Sequence, residues 1–270
     1  FKAKSAYDCK IMIQRLKGFA LYKFKSKNKF GIHSPFIFEF VTKVLYEDGE
    51  YYCYQLIEKI RKHWLSSSSK LKVIDLGAGS KKFKTDYRKI KEICRVSVKP
   101  KKYGQLLFRI VNYFEPQNVI ELGTSLGITT AYLASAAKGS TIFSIEGDPQ
   151  TFAIAQKTIR LSKLENVKLI NESFNKSLPE VLDSIDKVDL VFIDGHHEKN
   201  ATLNYFENCL QKSHDGTVFI FDDINWTDGM KQAWNLIKDN PAVTATIDLH
   251  FLGIAFLKKG LKKEHFLVNY

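Results

Sequence analysis

From residue 102 onward, short apolar runs alternate with longer stretches of helical periodicity. The apolar runs predict strands at 118–122, 141–145, 167–170, 189–193 and 217–221. Helices are predicted at 103–114, 128–137, 151–161, 178–185, 201–210 and 230–238. Continuous apolar strands that alternate with helices are typical of a parallel sheet covered on both faces. This pattern predicts an α/β fold.

Two further apolar runs, 243–249 and 252–257, are separated by almost no chain. A parallel crossover needs a dozen or more residues, so these two strands should be antiparallel. We therefore expect a Rossmann-like, doubly wound seven-stranded sheet with an antiparallel last strand.

The first hundred residues follow a different pattern. Residues 2–29 mix lysines with apolar side chains as in a basic amphipathic helix, and a second helical stretch covers 38–65. Residues 73–80 form an apolar run that leads into a glycine turn, but the lysine-rich segment after it, 81–86, does not suit a cofactor loop. The sequence predicts a mostly helical extension over 1–101 and a main domain over 102–270.

The charge is divided in the same way. The chain carries 41 Lys and Arg against 29 Asp and Glu, a net charge of +12. Up to Arg109 the net charge is +17 (26 basic, 9 acidic), and from Val111 onward it is −5 (15 basic, 20 acidic). An anionic substrate, surface or other polyanion is therefore expected as a partner of the extension alone.

The four cysteines are far apart and form no CxxC pair, which predicts neither a zinc site nor a disulfide framework. No apolar run approaches the roughly 18 residues that span a bilayer, and the first residues lack the apolar stretch of a secretory signal. A cytoplasmic protein is expected.

A glycine turn follows the strand at 118–122, with Gly123 and Gly127 at its ends and an apolar helix behind it. The spacing is not the G-x-G-x-x-G of dinucleotide enzymes. It also fits G-x-S-x-G, which would make the protein an α/β-hydrolase-like esterase with Ser125, Asp222 and His250 as its triad. The nucleophilic serine of that fold should follow several strands of its own sheet. Only one predicted strand precedes this turn, which weakens the alternative.

The acids beside the turn favour a third interpretation. Glu146 ends the next strand, 25 residues after Glu121, where a carboxylate can accept both hydroxyls of a ribose. Glu121 could receive the ammonium group of an amino-acid moiety. A nucleoside with a zwitterionic tail and no pyrophosphate suits the pair, and that molecule is S-adenosylmethionine.

Five motifs follow one another in the order and spacing that a known enzyme family has. They are Lys102-Tyr-Gly104-Gln105, E-x-G-x-x-x-G at 121–127, Ile145-Glu146-Gly147, Phe192-Ile-Asp194-Gly-His196 and Phe221-Asp222-Asp223. On these motifs, residues 102–258 resemble the class I S-adenosylmethionine-dependent methyltransferases, and most closely the catechol and caffeoyl-CoA O-methyltransferases. The closing strand pair is similar to the hairpin of that family. The resemblance implies cofactor contacts from Gln105, Glu121, Gly123, Thr124, Ser125, Gly127, Thr129, Glu146, Gly147, Ser173, Phe174 and Asp194. Ser173 would bond the adenine and Phe174 would stack on it, unless Phe174 is simply a core residue.

Three carboxylates, Asp194, Asp222 and Asp223, follow two predicted strands and could converge on one point. A bound divalent cation, Mg²⁺ first, would relieve their repulsion. The competing interpretation is that Asp222 and Asp223 cap the next helix. In the resembling family the third position is usually Asn, so Asp223 adds a charge here.

Methyl transfer needs alignment of donor and acceptor and removal of the acceptor's proton. His197 is three residues after Asp194, where the metal-dependent members have Lys, and an imidazole can accept a proton near neutral pH. The prediction is an enzyme that methylates a hydroxyl of a small molecule, with His197 and Asp194 as catalytic residues and a possible homodimer. The alternative from another class is a cofactor-binding protein whose extension binds a polyanion.

Overall fold

The computed structural model describes residues 18–73 and 87–270. Its strands in chain order are β1 (Lys70–Lys72), β2 (Tyr87–Lys89), β3 (Asn118–Leu122), β4 (Thr141–Ile145), β5 (Val167–Ile170), β6 (Val188–Ile193), β7 (Ser213–Asp222), β8 (Ala245–Asp248), β9 (Leu252–Phe256) and β10 (Glu264–Leu267). β1 and β2 form a small antiparallel ribbon, and the other eight strands form one sheet in the order β10-β8-β9-β7-β6-β3-β4-β5.

Most of this sheet is parallel. β3 pairs in parallel with β4 and β6, and the parallel pairing continues to β5 on one side and β7 on the other. β9 is antiparallel to both of its neighbours, β7 and β8, while β10 pairs in parallel with β8. The carboxyl ends of β3, β4, β6, β7 and β8 therefore share one edge of the sheet, where ligands bind in open α/β folds.

Helices cover both faces of the sheet. They are α1 (Pro35–Phe40), which continues as π-helical turns over Val41–Leu45, α2 (Tyr54–Ser66), α3 (Ile90–Ser97), α4 (Lys101–Phe114), α5 (Ile128–Ala136), α6 (Pro149–Leu161), α7 (Phe174–Asp183), α8 (Lys199–Leu210) and α9 (Asp228–Asp239). The Asp148 side chain caps α6 by accepting from the Thr151 amide at 2.6 Å, and Thr227 caps α9 in the same way. Within the described residues, no helix is both long and apolar enough to cross a membrane.

The α/β fold and the antiparallel hairpin are confirmed, and the sheet contains one strand more than the predicted seven. The additional strand, β10, is short and only partly buried at the sheet edge, so it has no continuous apolar run. The predicted helix over 38–65 is two helices, α1 and α2, because the acidic, glycine-containing segment 46–53 separates them.

The extension packs directly on the main domain. The described part of the first predicted helix, residues 18–25, is held by the C-terminal chain: the Tyr22 hydroxyl donates to the Val268 carbonyl at 2.6 Å. Farther along the extension, the Trp64 indole N–H of α2 donates to the Thr158 hydroxyl of α6 at 2.9 Å. Apolar side chains of α1 share a buried cluster with β8 and β9. The boundary at residue 101 stays a prediction, and the glycine turn over 74–80 lies outside the described residues.

Candidate active site

The glycine turn after β3 lies directly against the end of β6. Gly123 has φ = +110°, and a Cβ atom there would lie 2.1 Å from the backbone oxygen of Asp194. Gly127 has φ = +75°, begins α5, and packs against the backbone of Ala155 in α6. Both positions need glycine because neighbouring chain segments approach closely. The sequence attributed them to approach of a ligand, whereas the contacts found here are with the protein itself.

Glu121 is fully buried under this turn. One carboxylate oxygen, Oε2, accepts from the Thr130 hydroxyl at 2.5 Å and the Ser144 hydroxyl at 2.6 Å, whereas Oε1 has no hydrogen-bond partner. Burial raises the pKa of Glu121 to about 7, although the two hydroxyls oppose the shift. Glu121 is thus a buried acid with one oxygen still to be satisfied.

Two more predicted cofactor contacts also carry a buried polar atom without a hydrogen-bond partner. The Ser125 hydroxyl and the Gln105 side-chain amide nitrogen are buried and lack hydrogen-bond partners. Buried polar atoms are nearly always paired in native proteins, with protein or with ordered water. Such atoms on three predicted contact residues indicate a place where a polar ligand would complete the bonding.

Glu146 follows β4 at the same sheet edge. Its carboxylate accepts from the Ser125 amide at 2.8 Å and the Asp148 amide at 2.9 Å. Burial raises the pKa of Glu146 to about 7, while these amides lower it. The carboxylate is therefore fixed beside the glycine turn, next to the serine whose hydroxyl is unpaired.

The remaining predicted cofactor contacts surround this group. The Thr124 hydroxyl lies 2.6 Å from that of Ser144, Thr129 is buried in the first turn of α5, and Gly147 is in the turn after Glu146. Ser173 directly precedes α7. Phe174 packs edge-on against His196, with ring centroids 5.4 Å apart, and contacts the apolar cluster below the sheet.

A second group of polar residues follows β6 and β7. Asp194, His197 and Asp222 each place a ligand atom within 4.8 Å of the others. The His197 Nε2 atom lies 3.7 Å from Asp194 Oδ1, and the Asp222 side chain is only 2% exposed. Two of the three carboxylates predicted to converge, Asp194 and Asp222, thus lie close together, and His197 is the third member of the group.

Asp223 is not in that group of three. Its backbone has φ = +52°, and its carbonyl accepts from the Trp226 amide at 2.8 Å. Its role as a metal ligand stays a prediction.

Lys99, from the loop between α3 and α4, lies between the two acids. Its Nζ atom hydrogen-bonds Asp222 and lies 3.4 Å from Asp194 Oδ1, and the side chain is 14% exposed. Burial lowers the pKa of Lys99, but the carboxylates of Asp194 and Asp222 oppose this and raise it overall. The ammonium group is therefore charged.

The two acids respond to this environment in opposite directions. Burial and then the charge of Asp222 raise the pKa of Asp194 well above its usual range, against the effect of Lys99. Burial alone would raise the pKa of Asp222. The electrostatic effects of Lys99 and then His197 outweigh burial, so the pKa of Asp222 is lowered overall. Asp222 is the ionised partner of Lys99, and Asp194 is the more basic acid.

Strained backbone is concentrated around these groups. Seven non-glycine residues in the described segments have positive φ, and five of them follow strands at this edge: Ser125, His196, His197, Asp223 and His250. Such conformations persist only where the surroundings enforce them, and they are common at functional sites. The loops after β3, β6, β7 and β8 are therefore held in defined shapes.

Aromatic side chains from α4, the extension and the loop after β8 pack together, and one of them, Tyr103, is close enough to Asp222 to be affected by its charge. Tyr103 of α4 contacts Phe251 at 6.1 Å between ring centroids, and Phe19 and Tyr22 each contact His250 at 5.2 Å. The pKa of Tyr103 is raised, first by burial and then by nearby phenols and Asp222. We call these five residues the aromatic wall.

The structure does not form the hydrolase triad. Asp222 bonds Lys99, the Ser125 hydroxyl has no partner, and the His250 ring contacts Phe19, Tyr22 and Phe251. The esterase alternative is therefore wrong: the serine has no base and the acid already has a cation.

A cavity of about 510 Å³ opens between residues 45–49, α4 and the C-terminal residues. It includes Gln105, but neither the glycine turn nor the acid pair. The glycine turn and the acid pair therefore lie outside this cavity, where β3, β4, β6 and β7 end.

Sequence reasoning missed Lys99 and three residues of the aromatic wall, Phe19, Tyr22 and Phe251. Lys99 directly precedes Pro100 and the motif at 102–105, but it is one of 26 basic residues before Val111. Phe19 and Tyr22 belong to a segment that resembles nothing in the family. Their roles depend on how the extension packs on the sheet edge.

Comparison with known proteins finds methyltransferases. Residues 120–224 match the family model described as a methyltransferase domain. The catechol O-methyltransferase of Niastella koreensis is 29% identical over 175 residues, which cover 59% of this chain and 77% of that protein. The transmembrane O-methyltransferase of Homo sapiens is 36% identical over 95 residues, 33% of each chain, so this chain spans a third of that relative's length.

Solved structures share the fold. The O-methyltransferase from Bacillus cereus in complex with S-adenosylhomocysteine matches with a TM-score of 0.53 and 20% identity, over 81% of this chain and 96% of that one. The O-methyltransferase TomG from Streptomyces achromogenes, in complex with S-adenosylmethionine, matches with a TM-score of 0.56 and 15% identity, over 81% and 95%. The sequence match over residues 120–224 and the shared fold relate this chain to the S-adenosylmethionine-dependent O-methyltransferases, the group that its motifs resemble.

Proposed function

We propose that this protein transfers the methyl group of S-adenosylmethionine to a hydroxyl oxygen of a small aromatic molecule. One observation supports this above all: buried polar atoms without partners around the glycine turn lie at the same sheet edge as an acid and histidine cluster. The first set suits a polar cofactor, and the second suits removal of a proton.

Each unpaired atom has a matching group on the cofactor. The Glu121 Oε1 atom would accept from the ammonium of the methionine part. The Ser125 hydroxyl and the Gln105 amide would bond its polar atoms, and Glu146 would accept the ribose hydroxyls as predicted. Thr124, Thr129 and Gly147 would form the surrounding wall, with Ser173 and Phe174 on the adenine side. When bound, S-adenosylmethionine supplies a methyl group on a positively charged sulfur, which is a good leaving group.

The aromatic wall supports an aromatic acceptor. Phe251 is 42% exposed and contacts Tyr103, and Tyr103 is close enough to Asp222 for the charge of that acid to raise the pKa of the phenol. A planar acceptor could stack here with its hydroxyl directed at Asp194 and His197. The relative from Niastella koreensis is named for catechol, an acceptor of this kind.

His197 is the proposed base. As the acceptor oxygen takes the methyl group from the sulfur of the cofactor, its hydroxyl proton would pass to His197 Nε2. Asp194, 3.7 Å from that nitrogen, would stabilise the resulting imidazolium and orient the ring. The reaction therefore ends with neutral S-adenosylhomocysteine and a protonated histidine.

The predicted divalent cation fits this site poorly as it stands. Two carboxylates and an imidazole could bind a metal ion, but the ammonium of Lys99 already contacts both carboxylates. The Mg²⁺ site formed with Asp223 stays a prediction, and no step above uses it.

Three further predictions concern the partners and the location of the protein. Lys23, Lys25 and Lys27 of the extension are exposed and could contact an anionic substrate or surface. A homodimer stays a prediction that sedimentation would test. Cys53, Cys94 and Cys209 are buried free thiols, in keeping with the predicted reducing, cytoplasmic location.

The test is methyl transfer from S-adenosylmethionine to a panel of aromatic hydroxyl compounds led by catechol, with products identified by mass spectrometry. We expect methyl ether formation, and a kcat about 100-fold lower in His197→Gln with unchanged cofactor affinity. The matched control is His214→Gln, because His214 bonds Asp189 at the opposite edge of the sheet. If the cofactor binds but no hydroxyl compound is methylated, the non-catalytic alternative is favoured.

A further inference from the structure

The extension supplies one charged side chain to the centre of the site. Lys99 lies outside the segment that matches the methyltransferase family model, residues 120–224. Its ammonium group nevertheless contacts both Asp194 and Asp222, which end two central strands. A buried cation in this place needs an explanation beyond a solvated basic extension.

The backbone around Lys99 is held from several sides. The buried Arg61 of α2 donates to the Lys99 carbonyl at 2.6 Å, and Arg61 is itself held by Glu58 at 2.9 Å. Pro100 follows directly and precedes α4, and Val98 is buried. Because proline fixes its own φ and restricts the residue before it, Lys99 has few backbone alternatives. Its placement against the acids is built into the loop.

The ammonium group of Lys99 excludes a second cation from the pair of acids, Asp194 and Asp222. A divalent ion bound to these carboxylates would lie about 2.0–2.6 Å from their oxygens. The ammonium of Lys99 hydrogen-bonds one of the two carboxylates and lies 3.4 Å from the other. Two positive ions this close in a buried site repel strongly. Metal binding would therefore require Lys99 to leave.

We propose that Lys99 is the permanent cation of this active site and takes the place of a divalent metal ion. An ammonium has three donors, of which Asp222 and Asp194 can take two, and the third can bind the acceptor oxygen as its negative charge develops. This part rests on the proposed methyl transfer. The exclusion of metal does not, because it follows from Lys99 and the two acids alone.

The experiment measures Mn²⁺ binding by electron paramagnetic resonance, without cofactor or acceptor. The parent protein should bind no Mn²⁺ at this site up to millimolar concentrations. Lys99→Met exposes the acid pair and should bind one Mn²⁺ per chain, at least about tenfold more tightly than the parent. Lys101→Met is the matched control, because Lys101 is an exposed neighbour that pairs only at 3.7 Å with Glu50, and it should behave as the parent.

The double variant Lys99→Met, Asp222→Asn should lose the gained Mn²⁺ site, because one of its carboxylates is gone. A parent protein that binds one Mn²⁺ with Lys99 intact overturns the proposal, as does a folded Lys99→Met that binds none. If Lys99→Met does not fold, the measurement of Mn²⁺ binding to the parent protein alone supports or overturns the proposal. Since neither cofactor nor acceptor is present, failure here leaves the proposed methyl transfer standing, and failure of methyl transfer leaves the Mn²⁺ result standing.

Discussion

Two groups of buried polar residues lie at the same edge of the sheet, and they differ in how they are satisfied. At the glycine turn, Glu121 and Ser125 each retain a buried polar atom without a partner, as does Gln105 of α4. At the ends of β6 and β7, Asp194 and Asp222 are bonded by Lys99 from the same chain. The first group is incomplete without a ligand, whereas the second is completed from within the protein.

This difference indicates which half of the site depends on a bound molecule. An unpaired buried acid costs stability until a partner arrives, and an ion pair removes that cost in advance. The cofactor half should therefore gain stability from its ligand, whereas the acid pair should lose stability when its internal cation is removed. The substitutions below test these opposite expectations.

The largest effect is expected at Lys99. Lys99→Met leaves two buried carboxylates without their cation, and breaking a buried ion pair costs about 3–5 kcal/mol. Chemical denaturation should show that loss in the free energy of unfolding. The double variant Lys99→Met, Asp222→Asn removes one of the stranded charges and should recover a large part of it. If the stability losses of the single variants Lys99→Met and Asp222→Asn simply add up in the double variant, the two side chains are not closely paired.

Glu121→Gln should act in the opposite direction. The folded state holds the Glu121 proton up to about pH 7, the raised pKa, whereas the unfolded chain loses it near its ordinary pKa. Between these pH values the folded state binds more protons, so the free energy of unfolding falls as pH rises. At pH 8 the variant should therefore be more stable than the parent, by up to about 3 kcal/mol.

The same variant should weaken cofactor binding, because a neutral amide is a poorer partner for an ammonium group. Denaturation curves at pH 5 and pH 8 measure the first effect, and calorimetry measures the second. Equal stability differences at the two pH values would show that Glu121 is not a strained buried acid.

The smallest effect is expected at Ser125. Its buried hydroxyl has no partner, so Ser125→Ala should change the free energy of unfolding by less than about 1 kcal/mol. Affinity for S-adenosylhomocysteine should nevertheless fall by several fold, since a hydrogen bond is worth about 0.5–1.5 kcal/mol. A large loss of stability with unchanged affinity would place the hydroxyl in the fold and not in the binding site.

The sequence predicted most of the main domain because its strands are continuous apolar runs. The hairpin followed from the short connection after residue 249, and β10 escaped because a half-buried edge strand has no such run. The need for glycine at position 123 was predicted from the approach of a ligand, whereas its close contact in the structure is with the backbone of Asp194.

Prediction of the site was uneven for a physical reason. The acids and the histidine follow strand ends, and strand ends are visible in the sequence. Lys99, Phe19 and Tyr22 reach the site only through tertiary packing of the extension, and a lysine in a segment of net charge +17 carries no local mark. The charge surplus suggested an external anion, whereas one of its lysines binds two acids of the protein itself.

The most direct measurement is calorimetric titration of S-adenosylhomocysteine into chelator-treated protein. We predict one binding site per chain, the same affinity with and without added Mg²⁺, and an affinity at least about tenfold weaker in Glu146→Ala. Glu165→Ala, at an exposed position after α6, is the matched control and should bind as the parent does. No binding to the parent, or equal affinity in Glu146→Ala, would contradict a cofactor site at the glycine turn.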